Sequence, residues 1–140
     1  MRNQRTTKIL AVLPVAVGLL LLSVPMFAHH GTNISYDQKN PVTLKGVVTD
    51  FNYKNPHPQV FFDVTDASGQ VTHWAGEVAP TPFTLSQNGW GKARSLEALK
   101  AGTKITITLG PSRAGTPIGV VMKIFNEKGE EILDQRAGEQ

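Results

Sequence analysis

The stretch "VTHWAGEVAPTPFTLSQNGWGKARSLEALKAGTKITITLG" runs from Val71 to Gly110, and its middle decides the fold. Its two ends read as strands. Val71–Val78 is rich in β-branched and aromatic residues. Lys104–Gly110 alternates apolar and polar residues strictly, as a strand with one solvated face does. Between them the pattern breaks. Pro80, Pro82, Gly89 and Gly91 interrupt any ladder, because proline donates no backbone hydrogen bond and glycine packs no side chain. A short helical turn is expected near Pro82–Gln87, followed by irregular chain. Ser95, with Leu96, Leu99 and the following Gly102, reads as a short helix N-capped at Ser95 and ending at the glycine.

Working outward, "PVTLKGVVTDFNY" (Pro41–Tyr53) is long enough for a curved first strand, and Gly46 inside it suggests a bend or bulge. "NPHP" (Asn55–Pro58) is a loop, since two prolines around a histidine exclude helix and ladder alike. "QVFFDVTD" (Gln59–Asp66) is a second strand, and "ASGQ" (Ala67–Gln70) turns it into the third. Downstream, "IGVVMKIFN" (Ile118–Asn126) is a fifth strand, and "EKGE" (Glu127–Glu130) turns it back into a short "EIL" strand. Three strands, a helical connection and two more strands follow the order of an OB-fold. The fold class is therefore all-β: a five- to six-stranded, OB-fold-like Greek-key barrel with a short helix between strands 3 and 4. Another small β-sandwich or roll is the alternative. Closing a barrel also removes exposed strand edges.

The front of the chain reads differently. Arg2, Arg5 and Lys8 precede an apolar run from Ile9 to Val24, with small residues near a junction after Ala28. That is the pattern of a secretory signal peptide, and a retained N-terminal anchor is the alternative. The expected organisation is a signal peptide at 1–28, a flexible segment at 29–40, the barrel domain at 41–134 and a polar tail at 135–140. The expected location is periplasmic or secreted. The formal charge of +3 is carried by the three basic residues of the leader, so the remainder balances 11 basic against 11 acidic residues. A neutral mature chain lacks the electrostatic footprint of nucleic-acid binding. No membrane contact is expected after cleavage. There is no cysteine, so no disulfide framework and no lipid-anchored start.

The histidine pair His29–His30 at the junction, "NPVTLKGVVTDFNYKNPHPQVFFDV", Trp74 on the third strand and "GWGKARSLEALKAGTKITITLG" together carry a resemblance. The chain resembles the small exported bacterial proteins grouped as domain-of-unknown-function family 6152, over about the whole mature length. The resemblance implies export and a small β-rich domain, and it brings no activity. The "VTLKG" start is also similar to that of periplasmic proteins with a bacterial OB-fold.

The chemistry on offer is three histidines. Cleavage after Ala28 would give His29 a free α-amine beside its imidazole, a chelating pair. With an imidazole from elsewhere this makes a nitrogen site suited to Cu(II). His30 offers a second chelate, and His57 lies in the loop that borders the usual binding face of the fold. The bland alternative is that His57 stiffens a turn. Zinc suits the set less, because no fourth ligand of the usual kind stands out. Asn55, His57, Trp74 and Trp90 are the candidate ligand-binding residues, with Trp90 alternatively a plug for the barrel end. His73 is expected to be structural, with a pairing to Glu77 available along its strand face. No two carboxylates are fixed together, no Gly-x-Ser-x-Gly elbow occurs and no phosphate-binding glycine loop is present. The expected function is an exported, non-enzymatic binding protein that takes a small ligand or an envelope protein through the barrel loops. The alternative is a periplasmic copper-binding protein using His29, His30 and His57.

Overall fold

A computed structural model describes residues 35–134. The expected leader, His29, His30 and the tail at 135–140 lie outside the described residues. The elements run β1 (Val42–Asn52), β2 (Gln59–Thr65), β3 (Val71–Val78), α1 (Pro82–Gln87), α2 (Lys92–Ala98), β4 (Lys104–Pro111), β5 (Ile118–Asn126) and β6 (Glu131–Ile132). The sheet order is β3-β2-β1-β4-β5-β6, and a parallel pairing of β3 with β5 closes the barrel. The OB-like barrel expected from the strand order is thus the observed architecture, with β6 as an additional short strand. The connection between β3 and β4 holds two short helices where a helical turn and one helix are expected.

β1 serves both halves of the barrel. Val42–Val47 pairs with β4, and Val47–Asn52 pairs with β2. Gly46 sits where the strand changes partner. A Cβ there would lie 2.7 Å from the Asp63 carbonyl oxygen and 2.8 Å from the Phe62 ring. The glycine therefore permits close approach. The irregularity comes later, between Val48 and Asp50. One extra residue there shifts the alternation, so that Val48 and then Phe51 both point into the core.

The closing seam has its own requirement. Gly76 of β3 faces Gly119 of β5. A Cβ on Gly76 would approach Val121 to 2.8 Å, and one on Gly119 would lie 2.8 Å from the Gly110 carbonyl oxygen. Two glycines opposite each other let the sheet curl shut over Val60, Ile107, Leu109 and Val121, all of which are buried.

The helices are set by local chemistry. Thr81 caps α1, its hydroxyl accepting from the Thr84 amide at 3.3 Å, and Pro82 follows in the first turn, where its missing N–H costs nothing. α2 begins a turn earlier than its serine suggests. Gly91, not Ser95, is the N-cap. Ser95 is fully buried inside the helix and donates its hydroxyl to the Trp90 carbonyl at 3.0 Å. The buried carbonyl captures the hydroxyl that the sequence assigns to a cap. Leu85, Trp90 and Leu99 of this connection join Val48, Phe51, Phe62, Val78 and Ile124 in one core cluster.

Residues 35–40 are tied to the β4–β5 loop. The Asp37 amide donates to the Pro111 carbonyl at 2.8 Å, and the Arg113 amide donates to the Ser35 carbonyl at 3.0 Å. Gln38 packs against Gly110. This part of the expected N-terminal segment thus has backbone partners in the β4–β5 loop that local sequence does not reveal.

Candidate functional site

The Asn-Pro-His-Pro loop joins β1 to β2 and is fixed at both shoulders. Tyr53 enters it, donating its hydroxyl to the Pro82 carbonyl at 2.8 Å with the Trp90 carbonyl at 3.0 Å. Pro58 leaves it fully buried, and its carbonyl accepts the Val78 amide at 2.9 Å. The loop and the two helices therefore occupy the same end of the barrel. The Asn55–Pro56 peptide is cis. Asn55 is exposed and His57 half-buried.

His57 carries an anomaly. Its Nδ1 is buried and has no hydrogen-bond partner, alone in this among the side-chain atoms of the described residues. Buried polar atoms are nearly always paired, because leaving one unpaired costs its full desolvation. The loop holds this nitrogen in place although no side chain or backbone group answers it.

Trp90 lies at this end too, but its indole is only 6% exposed and belongs to the core. The Arg94 guanidinium stacks 3.9 Å above the ring centroid and donates to the Gly89 carbonyl at 3.0 Å. Trp90 thus plugs the barrel end, and one ring face is already occupied by a cation. Trp74 is elsewhere. It stacks on Phe62, its cross-strand partner, with ring centroids 6.4 Å apart. Four residues of strand separate Trp74 from Val78, the residue that bonds the loop, so roughly 13 Å lies between them. Asn55, His57 and Trp90 share one barrel end, and Trp74 is not among them.

Trp74 instead borders an open groove of about 590 Å³ lined by Thr49, Asp50, Phe61, Asp63, His73 and Ile118, among others. His73 pairs there with Asp63, Nδ1 to Oδ1 at 2.6 Å, and not with Glu77. The reason is register. Asp63 stands directly opposite His73, whereas Glu77 is four residues further along the same strand. The five-residue turn Asp66–Gln70 sets that register, so the pair was open to sequence reasoning through the hairpin. His73 is 83% exposed on its side chain, and the pair is a surface contact.

Glu77 has a different partner. The Tyr36 hydroxyl donates to its Oε2 at 3.5 Å. Burial and the neighbouring Glu77 carboxylate together raise the Tyr36 pKa above its ordinary value. Glu77 faces Gln59, the residue after Pro58. The start of the described chain is thereby brought beside the His57 loop. Tyr36 carried no signal of this role, which needs two elements far apart in sequence.

No group of three or more histidine, cysteine, aspartate or glutamate side chains among the described residues is placed to hold a metal ion. His57 therefore belongs to no such group within residues 35–134, and the two expected companions, His29 and His30, lie outside them. No helix among the described residues is long and apolar enough to cross a membrane. Compared with known proteins, residues 16–122 match the model of a family of unknown function (DUF6152). No curated protein and no solved structure matches.

Proposed function

The chain belongs to that family of unknown function, and from the geometry of the barrel end we propose that it is an exported, non-enzymatic binding protein whose ligand or envelope partner docks on the Asn-Pro-His loop. The observation that carries this reading is the unpaired, buried Nδ1 of His57, held in a loop that is anchored on both sides. A fold that positions a buried polar atom without a partner keeps it for something that arrives later. Native mass spectrometry of the protein isolated from the bacterial envelope tests it. A bound mass that His57→Leu abolishes is the expected result. Identical ligand-free and partner-free spectra for both proteins refute it.

A second reading has support of its own. The alternative is a Cu(II) site made by His29, His30 and His57. The Tyr36–Glu77 contact favours it, because it puts Tyr36, near the start of the described residues, beside the His57 loop. The six steps from His29 to Ser35 span at most about 20 Å when extended, which sets the reach of the histidine pair. Imidazole and amine nitrogens suit Cu(II) by ligand type. The test is a competitive Cu(II) titration of exported protein whose start is confirmed by intact mass. One tight equivalent, weakened at least about tenfold in His57→Ala, is expected if loop and terminus share the metal. Weak binding that is indifferent to His57→Ala removes this second reading and leaves the first standing.

A further inference from the structure

We propose that the end of the barrel carrying the Asn-Pro-His loop docks on an anionic phospholipid surface. The proposal rests on the reading of this end as the binding end and names what that end meets. It departs from the expectation of no membrane contact after cleavage.

Charge is unevenly placed. Apart from the leader, acids and bases balance along the sequence. Yet the loop from Tyr53 to Pro58 and the connection from Ala79 through the end of α2 at Ala98 contain Lys54, Lys92 and Arg94 against one carboxylate, Glu97. Tyr53 bonds the two segments together through the Pro82 and Trp90 carbonyls, so these cations belong to one end of the molecule. The carboxylates nearby are engaged: Glu97 is paired with Lys100 at 2.6 Å, Glu77, opposite Gln59, accepts from the Tyr36 hydroxyl at 3.5 Å, and Glu131 and Asp134 each have partners.

The same connection exposes apolar side chains. Phe83 of α1 is 71% exposed, far more than any other large apolar residue of the domain. Leu96 of α2 is also exposed, and it shares a helix face with Lys92, four residues before it. A protein interface of ordinary size needs an apolar centre from which water is excluded, with charges confined to its rim. Here Thr84, Ser86, Gln87, Lys92 and Arg94 are interspersed with the two apolar side chains, and all are exposed. Isolated Phe and Leu among Lys and Arg suit the headgroup boundary of a bilayer, where the ring enters the acyl edge and the cations meet phosphate.

Vesicle flotation with the full exported protein tests the proposal. Vesicles of phosphatidylethanolamine and phosphatidylglycerol in equal parts are compared with neutral phosphatidylcholine vesicles. At low salt the protein should float with the anionic vesicles only. Each of Lys54→Gln and Lys92→Gln should weaken partition about fivefold, and Phe83→Ser should weaken it at least as much. All three side chains are exposed, so the variants keep the fold, which circular dichroism verifies. Absence of binding to the anionic vesicles overturns the proposal, as does binding indifferent to Phe83→Ser. Binding to soluble poly-glutamate without flotation also overturns it and assigns this end to an acidic protein. If flotation fails while the His57-dependent mass persists, the lipid surface is wrong and the binding end is right. Failure of both removes the binding reading as well.

Discussion

His57→Leu should make this protein more stable. The substitution removes the one buried side-chain polar atom without a partner among the described residues and keeps a side chain of similar bulk between Pro56 and Pro58. An unsatisfied buried donor or acceptor costs about 1–3 kcal/mol. His57 is only half-buried, so the lower end applies, and the expected gain is about 1 kcal/mol. For a domain of roughly 100 residues that raises Tm by about 4–8 °C. Urea unfolding read by tryptophan fluorescence measures it, with the slope of the transition unchanged, so that a shifted midpoint reports stability and not a new denatured state. His57→Gln, which keeps a polar atom in the loop, should gain nothing. A fall of about 1 kcal/mol or more in His57→Leu would refute the reasoning. It would mean that water or a neighbouring group satisfies Nδ1 in solution, that the histidine is a structural strut, and that the binding reading has lost the observation that carries it. A gain in stability accompanied by loss of the bound mass would instead mark His57 as kept for binding at the expense of stability.

Three further outcomes are expected. Gly119→Ala places a Cβ against the Gly110 backbone oxygen, which has no rotamer to yield, so unfolding should be easier by at least about 1–3 kcal/mol in a urea titration. Ser95→Ala removes a buried hydroxyl bond to the Trp90 carbonyl, which keeps its contact with Tyr53, so the loss should be near 1 kcal/mol by the same assay. Tyr36 has a pKa raised by burial and by Glu77, so the folded protein holds this proton more tightly than the unfolded chain does. Its contribution to stability is complete below the unfolded tyrosine value of about 10 and is lost as pH rises through the raised one. Thermal melts from pH 8 to 11 should therefore decline less steeply for Tyr36→Phe than for the wild type; Tyr53, also raised by burial, keeps the decline from vanishing.

Strand existence was legible because each strand has a period. β3 and β5 match their expected bounds, and β4 differs by one residue, since alternation and flanking turn residues are local properties. Where a residue's role depends on a partner far away in the chain, the local signal misleads. Ser95 has the composition of a cap and the position of a core residue. Gly46 has the composition of a bulge, while the register shift falls between Val48 and Asp50, where no glycine marks it. The facing pair Gly76 and Gly119 could not be seen at all before the parallel seam brought them together.

The candidate site divides along the same line. The Asn-Pro-His-Pro loop stands out in sequence because two prolines pin a histidine, and no neighbour is needed to notice it. Which residues join it depends on barrel closure. Closure brings Trp90, Tyr53, Phe83 and Tyr36, near the start of the described residues, toward the loop, and it leaves Trp74 down the strand with Phe62. Net charge is silent in the same way. A balanced total says nothing about placement: the fold puts Lys54, Lys92 and Arg94 at one end, where the nearby Glu97 is paired with Lys100. Folding alone explains neither the orphaned nitrogen nor the bare Phe83, and both lie at this end. Departures from local consistency concentrate where function is bound, so the loop end, and not the more open groove beside Trp74, is where a partner of this protein should be sought.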